Sequence, residues 1–474
     1  MEAKIMPGIT HWYLHLPFLT TCPPFPTNQL TPHHRNHPGF HAFFPCASSY
    51  PSLLGELYSA ALTTAAFNWI CSPAVTELET IVLDWLAKTL GLPSCYLSTG
   101  PTRGGGVIQG SASEAVLTAM VAARDKYLRE TVPPVGGGGD GGLSEEEHEE
   151  RVMVTKSRMV ALATTLTHSS AKKAALILGC RFRAIRVREE DGYALTREGV
   201  AAALAECRAQ GLEPFFLAAT LGTTDVCSVD DFEGISAALA DHVPPGAPGE
   251  VWVHVDAAYA GAALVCPEVQ ESTRIGLISR FHSFDMNMHK WLLVNFDASC
   301  FFVRNREWLT QALSVNQAVY GNKASDGGLV TDYREWQIPL GRRFRSLKIW
   351  FVLRSYGVKG LREHIRRTIK MGEDFAEGLR GRSDLFEIVS GPSFALTVFR
   401  LAAKAEGASL EERNAQTKAL YEKVNATGKM WLTSTELDGR FAIRLMTAVR
   451  TTETEHIQTA VKTLVEIAEE VLRG

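Results

Sequence analysis

Residues Val251 to Gly261 read VWVHVDAAYAG, and the fold turns on them. Val251 to Val255 is apolar and β-branched, the pattern of a strand buried on both faces of a parallel sheet. Asp256 stands at the C-terminal end of that strand. In open α/β sheets ligands bind in the crevice beyond the carboxyl ends of the strands, so this carboxylate is expected to face a site.

Downstream, Ser283 to Trp291 reads SFDMNMHKW and ends on Lys290. Most lysines in a chain of this size are solvated surface charges. One that holds an aldehyde covalently needs a desolvating or cationic neighbour to lower its pKa. An acid that partners a pyridinium nitrogen and a lysine that carries the aldehyde are the two protein groups that pyridoxal 5'-phosphate (PLP) requires. Asp256 and Lys290 supply that pair in order.

Working outward, Arg103 to Glu114 reads RGGGVIQGSASE, a glycine-rich entry to a helix. Glycines let a backbone approach an anion, and the free amides of a helix N-terminus supply donors and a favourable dipole. A phosphate is therefore placed at Ser111, Ala112 and Ser113. The loop lacks the Lys-Ser/Thr ending of a nucleotide-binding loop. Arg158 to Thr164 reads as a buried strand that leads to THSS, with His168 just beyond it, and Phe215 to Thr220 as another, ending in LGTT with Thr224 close behind. A lone histidine is more often structural, and clustered phenylalanines such as those of Phe40 to Pro45 are more often core. Thr76 with Glu79 reads as a capping box opening a helix whose apolar positions run to Leu90.

The chain of 474 residues is long enough for two or more domains. Its 48 basic and 52 acidic residues give a formal charge of -4, which offers no electrostatic argument for nucleic acid or an anionic membrane. Nine cysteines without C-x-x-C pairs argue against a disulfide framework and a zinc site, and suit a reducing cytoplasm. The opening MEAKIMPG lacks the progression of a secretory signal. Leu57 to Val75 is uncharged, yet its Thr63, Thr64, Asn68, Ser72 and Pro73 suit a soluble helix and loop lining an active site. Thr131 to Arg151, with a glycine run and the acidic cluster Glu145 to Glu150, reads as a flexible solvated loop. The basic run Arg342 to Lys348 need be no more than a solvated helix face, and Thr452 with Glu455 is expected to cap a last amphipathic helix.

The motifs GGGVIQGSASEA, THSS, ATLGTT, HVDAAYAG, NMHKWLLVNFD and LVTDYREWQIPLGRRFRSLK resemble those of the group II PLP-dependent decarboxylases, and within them the aromatic-L-amino-acid decarboxylases. The resemblance runs from Met6 to the C-terminus. It implies an α/β architecture of fold type I: a large PLP domain over 49–347, with a mostly parallel sheet flanked by helices, and a small C-terminal α+β domain over 348–474. An N-terminal segment precedes them over 1–48, in which Tyr13 to Arg35 looks like an insertion. Family members also carry a further N-terminal stretch that wraps the partner subunit, and its absence here puts dimer stability in doubt.

The resemblance further implies roles. Lys290 carries the aldehyde, Asp256 keeps the ring nitrogen protonated, His168 stacks on the ring, and Thr224, Ala258, Asn287 and His289 line the cofactor. Tyr333, on a mobile loop over 321–336, is the expected acid that protonates Cα. Trp12, Phe43, Phe44, Pro45, Phe67 and Gly341 are expected around the substrate, with Phe67 facing the partner's cofactor in a homodimer. Cys46 departs from the small hydroxyl residue expected there, and the small Gly341 leaves room for an indole. The activity implied is decarboxylation of tryptophan, 5-hydroxytryptophan, tyrosine or dopa to the amine. The competing readings are an oxidative aromatic acetaldehyde synthase and a non-catalytic family member.

Overall fold

The computed structural model describes residues 37–136, 142–315, 330–403 and 409–473. Trp12, the segment 13–35, residues 137–141 of the expected solvated loop, and 316–329, which include 321–329 of the expected lid, lie outside them.

Ser49 accepts the Ser52 amide and opens α1 (Tyr50–Leu62). Ser72 precedes α2 (Pro73–Thr89), where proline at the first turn costs no hydrogen bond. This helix starts a turn before the expected capping box. Thr76 is buried inside it, and Glu79 turns inward to accept the Ile108 amide at 2.8 Å and to pair with Arg342. The uncharged stretch from Leu57 thus covers the end of α1, a turn and the start of α2, and it does not reach the cavity at Lys290. Among the described residues no helix is long and apolar enough to cross a membrane.

Next come β1 (Gly105–Gln109) and α3 (Ala112–Thr131). The acidic cluster, expected as loop, is helical: Ser144 and Glu147 form a capping box that opens α4 (Glu145–Arg158), whose first-turn carboxylates complement the helix dipole. There follow β2 (Met159–Thr164), α5 (Ser169–Leu178), β3 (Arg181–Ile185), α6 (Arg197–Ala209), β4 (Glu213–Thr220), α7 (Phe232–His242), β5 (Trp252–Asp256), β6 (Ser283–Asn287), the short α8 (Met288–Trp291) and β7 (Ser299–Val303). Their sheet has the order β1-β7-β6-β5-β4-β2-β3. β7 runs antiparallel to both its neighbours, and the pairs from β6 across to β3 are parallel. β5 and β6 are both buried along their whole length; β5 reads as a buried strand, whereas β6, SFDMN, alternates polar and apolar residues and does not read as one. The parallel arrangement brings the C-terminal ends of β2, β4, β5 and β6 to one edge.

α9 (Arg345–Arg380) is interrupted at Gly357, whose φ of 62° breaks the helical run. The basic run at its start is not a solvated face. Arg342 and Lys348 are 6% and 1% exposed and pair with Glu79 and Glu56. Beyond α9 lie β8 (Phe386–Ser393), β9 (Leu396–Leu401), α10 (Leu410–Ala426), β10 (Thr433–Leu437), β11 (Arg440–Met446) and α11 (Thr454–Arg473). They form a second, antiparallel sheet of order β10-β11-β9-β8 with helices packed on it. Thr452 does not cap α11; its hydroxyl donates to the Pro38 carbonyl at 3.0 Å.

The segment from Gly39 to Ser52 ties the two sheets together. His41 N–H donates to the Trp431 carbonyl and Met446 N–H to that of His41, while Ala47 N–H donates to His289 O at 2.7 Å and Ser49 Oγ to Leu293 O at 2.6 Å. The loop after Lys290 is therefore held by a strap from the N-terminal side.

Candidate active site

Lys290 lies on α8, immediately after β6, and faces a cavity of about 200 Å³ at the carboxyl edge of the large sheet. Burial lowers its ammonium pKa, with Asp256 and Asp285 acting in the opposite direction. The ring of Phe44 lies 5.2 Å from its Nζ. Phe44 is the first of three stacked rings, with Tyr259 at 3.9 Å from it and Trp291 at 4.7 Å from Tyr259. Tyr259 Oη donates to Phe394 O at 2.6 Å, so this aromatic wall is anchored to the smaller sheet.

Asp256 ends β5 and is 6% exposed. Its Oδ1 accepts the Ala258 amide at 3.0 Å, which fixes the carboxylate toward the cavity. Thr224 was expected to steady this acid. It lines the cavity, but its carbonyl accepts from Arg444 Nη2 at 2.5 Å, and it is Ala258 that holds Asp256.

His168 is the N-cap of α5, and its Nδ1 accepts the Ser170 amide at 3.2 Å. An amide can only donate, so Nε2 carries the ring proton. Burial lowers this histidine's pKa and keeps it neutral. His289 Nδ1 lies 2.9 Å from the Ala298 amide nitrogen and 3.0 Å from the Ala298 carbonyl oxygen, which fixes the ring, and burial, then Lys290, push its pKa down to about 4. Ser111 caps α3 by accepting the Glu114 amide at 3.3 Å, and with Ala112 and Ser113 it lines the cavity at the start of a helix of 20 residues.

These residues fit pyridoxal phosphate. An anion would meet the α3 N-terminus, the ring nitrogen a fixed carboxylate, and the aldehyde a desolvated amine. Two further polar atoms at the wall, Asn287 Oδ1 and Thr220 Oγ1, are buried without a partner.

The structure thus brings together Lys290, Asp256, His168, Ser111, Ala112, Ser113, Thr224, Ala258, Asn287, His289 and Phe44. Others it does not. Tyr333 lies in the 3₁₀ turn Tyr333–Trp336, 3% exposed, with Oη 2.9 Å from Thr80 Oγ1 and the Arg342 guanidinium 4.6 Å from its ring. Burial, then Glu79, raise its pKa, and Tyr333 is not among the described residues that line the Lys290 cavity. Phe43 is 53% exposed, and Pro45 and Cys46 line a separate small cavity with Leu293 and His364. The Phe67 carbonyl accepts the Arg334 amide at 3.3 Å, beside Tyr333 and away from Lys290. Gly341 is exposed, and a methyl group there would meet nothing within 4 Å in this chain.

Three wall residues escaped the sequence reading: Thr220, Gly222 and Tyr259. Gly222 has φ +88°, and a Cβ on it would lie 2.4 Å from that of Ala260. The glycine of ATLGTT and the tyrosine of HVDAAYAG were the available signals.

Residues 29–402 match the pyridoxal-dependent decarboxylase conserved domain. The chain is 39% identical over 473 residues, 100% of this chain and 87% of the relative, to an aromatic-L-amino-acid decarboxylase of Cavia porcellus. It is 40% identical over 476 aligned positions, 100% of this chain and 85% of the relative, to a phenylacetaldehyde synthase of Arabidopsis thaliana. Among solved structures, an Oryza sativa TDC with PLP and tryptamine superposes with a TM-score of 0.83 at 37% identity, over 92% of this chain and 84% of that one. With a lysine, an acid and the start of a long helix converging on one cavity, and with a domain match over most of its length, the chain belongs to the pyridoxal-dependent decarboxylase family.

Proposed function

We propose that this enzyme decarboxylates an aromatic L-amino acid and releases the corresponding amine and carbon dioxide. The observation that carries the reading is the convergence of Lys290, Asp256 and His168 on a cavity walled by the Phe44, Tyr259 and Trp291 stack. Bound there, pyridoxal phosphate supplies an electron sink for the pair left on Cα when the carboxylate departs.

The protein's part is binding, orientation and proton placement. Lys290 holds the aldehyde, its amine made nucleophilic by burial. Asp256 keeps the proton on the ring nitrogen, because an opposite charge at contact favours the charged form. Ser111, Ser113 and the first amides of α3 would bind the phosphate, with the His289 ring at the same cavity wall. His168, fixed by Ser170, would offer a flat neutral ring to the bound cofactor and help orient the substrate on it. The aromatic wall receives the substrate ring by offset stacking.

A second copy of the chain is proposed to complete the site. Leu54, Leu57, Tyr58 and Leu62 of α1, with Ile70, Ile338 and Leu340, are large apolar side chains each more than two-fifths exposed in the single chain, as an interface requires. Phe67 and Gly341 would then meet the partner's substrate rather than their own. A cytoplasmic setting is consistent with the eight free thiols among the described residues.

The test is to incubate the PLP-loaded protein with tryptophan, 5-hydroxytryptophan, tyrosine and dopa and measure amine, carbon dioxide, hydrogen peroxide and ammonia. Amine and carbon dioxide in equal amounts, without peroxide, support the proposal. Aldehyde with peroxide and ammonia in equal amounts replaces it with the oxidative reading. Size-exclusion chromatography with and without residues 13–35 tests the dimer.

A further inference from the structure

Behind Asp256, on the closed side of the cavity, runs a chain of buried polar groups that the decarboxylation scheme leaves unused. β5 and β6 are paired in parallel, with His254 opposite Ser283 and Asp256 opposite Asp285. Side chains two residues apart on a strand share a face, so His254 and Asp256 are neighbours along β5 as Ser283 and Asp285 are along β6. Trp252 Nε1 lies 2.8 Å from Ser283 Oγ, Ser283 Oγ 2.9 Å from His254 Nδ1, and His254 Nε2 3.0 Å from Asp285 Oδ1. His254, Ser283 and Asp285 are 0% exposed, with the Phe216 and Phe301 rings against the imidazole.

The donors fix the direction of this relay. An indole N–H only donates, so Ser283 Oγ accepts from Trp252. The serine hydroxyl then donates to His254 Nδ1, and the imidazole's remaining proton, on Nε2, donates to Asp285. The relay ends on a carboxylate, which it holds in its ionised form through one hydrogen bond. Asp285 Oδ2 has no partner at all. An ionised carboxylate so incompletely satisfied, abreast of a second one, costs stability. The titratable groups facing it are His254 and Asp256 on β5, Lys290 on α8 and the Cys300 thiol on β7.

We propose that Asp285, held by His254, Ser283 and Trp252, is a positioning residue for the cofactor site: a second buried negative charge behind Asp256 that strengthens its hold on the proton of the cofactor's ring nitrogen. Asp285 does not line the cavity, so its influence is exerted through Asp256 and Lys290 and through the field. The inference rests on the assignment of Asp256 made above.

Asp285→Asn is the test, because it keeps the shape and a hydrogen-bonding group for His254 and removes only the charge. The holoenzyme's visible absorbance band is titrated with pH, and PLP affinity is measured by fluorescence quenching. Loss of one charge at this range in a partly polarisable interior shifts the titration by about one pH unit toward acid and weakens PLP binding about tenfold. The apoenzyme's thermal midpoint supplies the opposite sign. Burial, then Asp256, raise the Asp285 pKa to about 6, so the folded state loses stability as pH rises from near 4 through 6. Apo Asp285→Asn should therefore melt higher than the unaltered protein at pH 8, with the difference closing near pH 4. A merely structural Asp285 would lower the midpoint at every pH and leave the band where it was, and that result overturns the proposal. Asp256→Asn is titrated alongside. If it leaves the band unmoved while Asp285→Asn shifts it, the assignment of Asp256 is at fault and the coupling through it is overturned. If neither variant moves the band, both fall.

Discussion

Tyr333→Phe removes one hydroxyl from the molecule, and the structure says what that hydroxyl does. It shares a 2.9 Å hydrogen bond with Thr80 Oγ1 inside a side chain that is 3% exposed. Thr80 retains its other partner, the Thr76 carbonyl at 3.1 Å, so no buried donor is orphaned by the change. Arg342 keeps the ring face that it covers at 4.6 Å. Losing a neutral hydrogen bond of this kind costs about 1 kcal/mol. In a chain of this length that lowers the thermal midpoint by about 1–2 °C. Turnover should stay within about twofold of the unaltered enzyme, since nothing at the Lys290 cavity changes. The assay is amine release under saturating substrate, with thermal unfolding on the same preparation. A fall in kcat of about a hundredfold or more, equivalent to about 2.7 kcal/mol of transition-state stabilisation, with an unchanged midpoint would put the Tyr333 hydroxyl at the reacting carbon and refute the argument from its burial. Tyr320, the other tyrosine between Ser314 and Trp336, lies outside the described residues. Tyr320→Phe is the matched variant, read in the same assay.

Lys290→Ala should abolish the PLP absorbance band that borohydride fixes to the protein, while the apoenzyme melts no lower, because a desolvated amine has been removed. Gly222→Ala should cost about 2–4 kcal/mol in urea unfolding, from a positive φ together with a Cβ 2.4 Å from that of Ala260. Glu79→Gln leaves Arg342 buried without its counter-charge and should destabilise by about 3–5 kcal/mol, whereas replacing both by methionine should lose less, which a double-mutant cycle would register. Burial holds His41, His282, His289 and His364 at about 4 in the folded state against 6.5 unfolded, so the unfolded chain binds more protons between those values and stability falls as pH drops from 6.5 to 4. Asp230, raised by burial to about 7, and Asp285 oppose this in part, and the thermal midpoint should still decline below pH 6.5 because the histidines outnumber them.

Local pattern carried far in this protein. The strands ending at Thr164, Thr220 and Asp256 were readable because burial on both faces demands an unbroken apolar run. Asp256 and Ser111 were readable as candidates because they stand at a strand end and a helix start, where the backbone determines which way a residue faces, whereas Lys290 and His168 owed their candidacy to the motifs around them. Local pattern failed where two signals competed. Thr76 and Glu79 have the spacing of a capping box, yet Pro73 offered an earlier start, and Glu79 was then needed inside to meet Ile108 and Arg342. The acidic cluster read as solvated loop because its composition is polar, while Ser144 and Glu147 supplied a helix start that composition does not register.

What the sequence by itself determined, then, is the family, the buried strands ending at Thr164, Thr220 and Asp256, and the choice of Lys290 and Asp256 as candidates for the cofactor's lysine and acid. What the tertiary structure decided is which distant residues become partners. His254 and Asp285 are 31 positions apart and meet because β5 and β6 are neighbours in a particular register. Tyr333 faces Thr80 across 253 positions rather than facing Lys290. Phe44 reaches the cavity while Phe43 beside it points to solvent. The periodicity of a segment fixes which face is buried, but the partner on that face depends on strand order, register and the path of connecting loops, none of which leaves a signal in the segment itself.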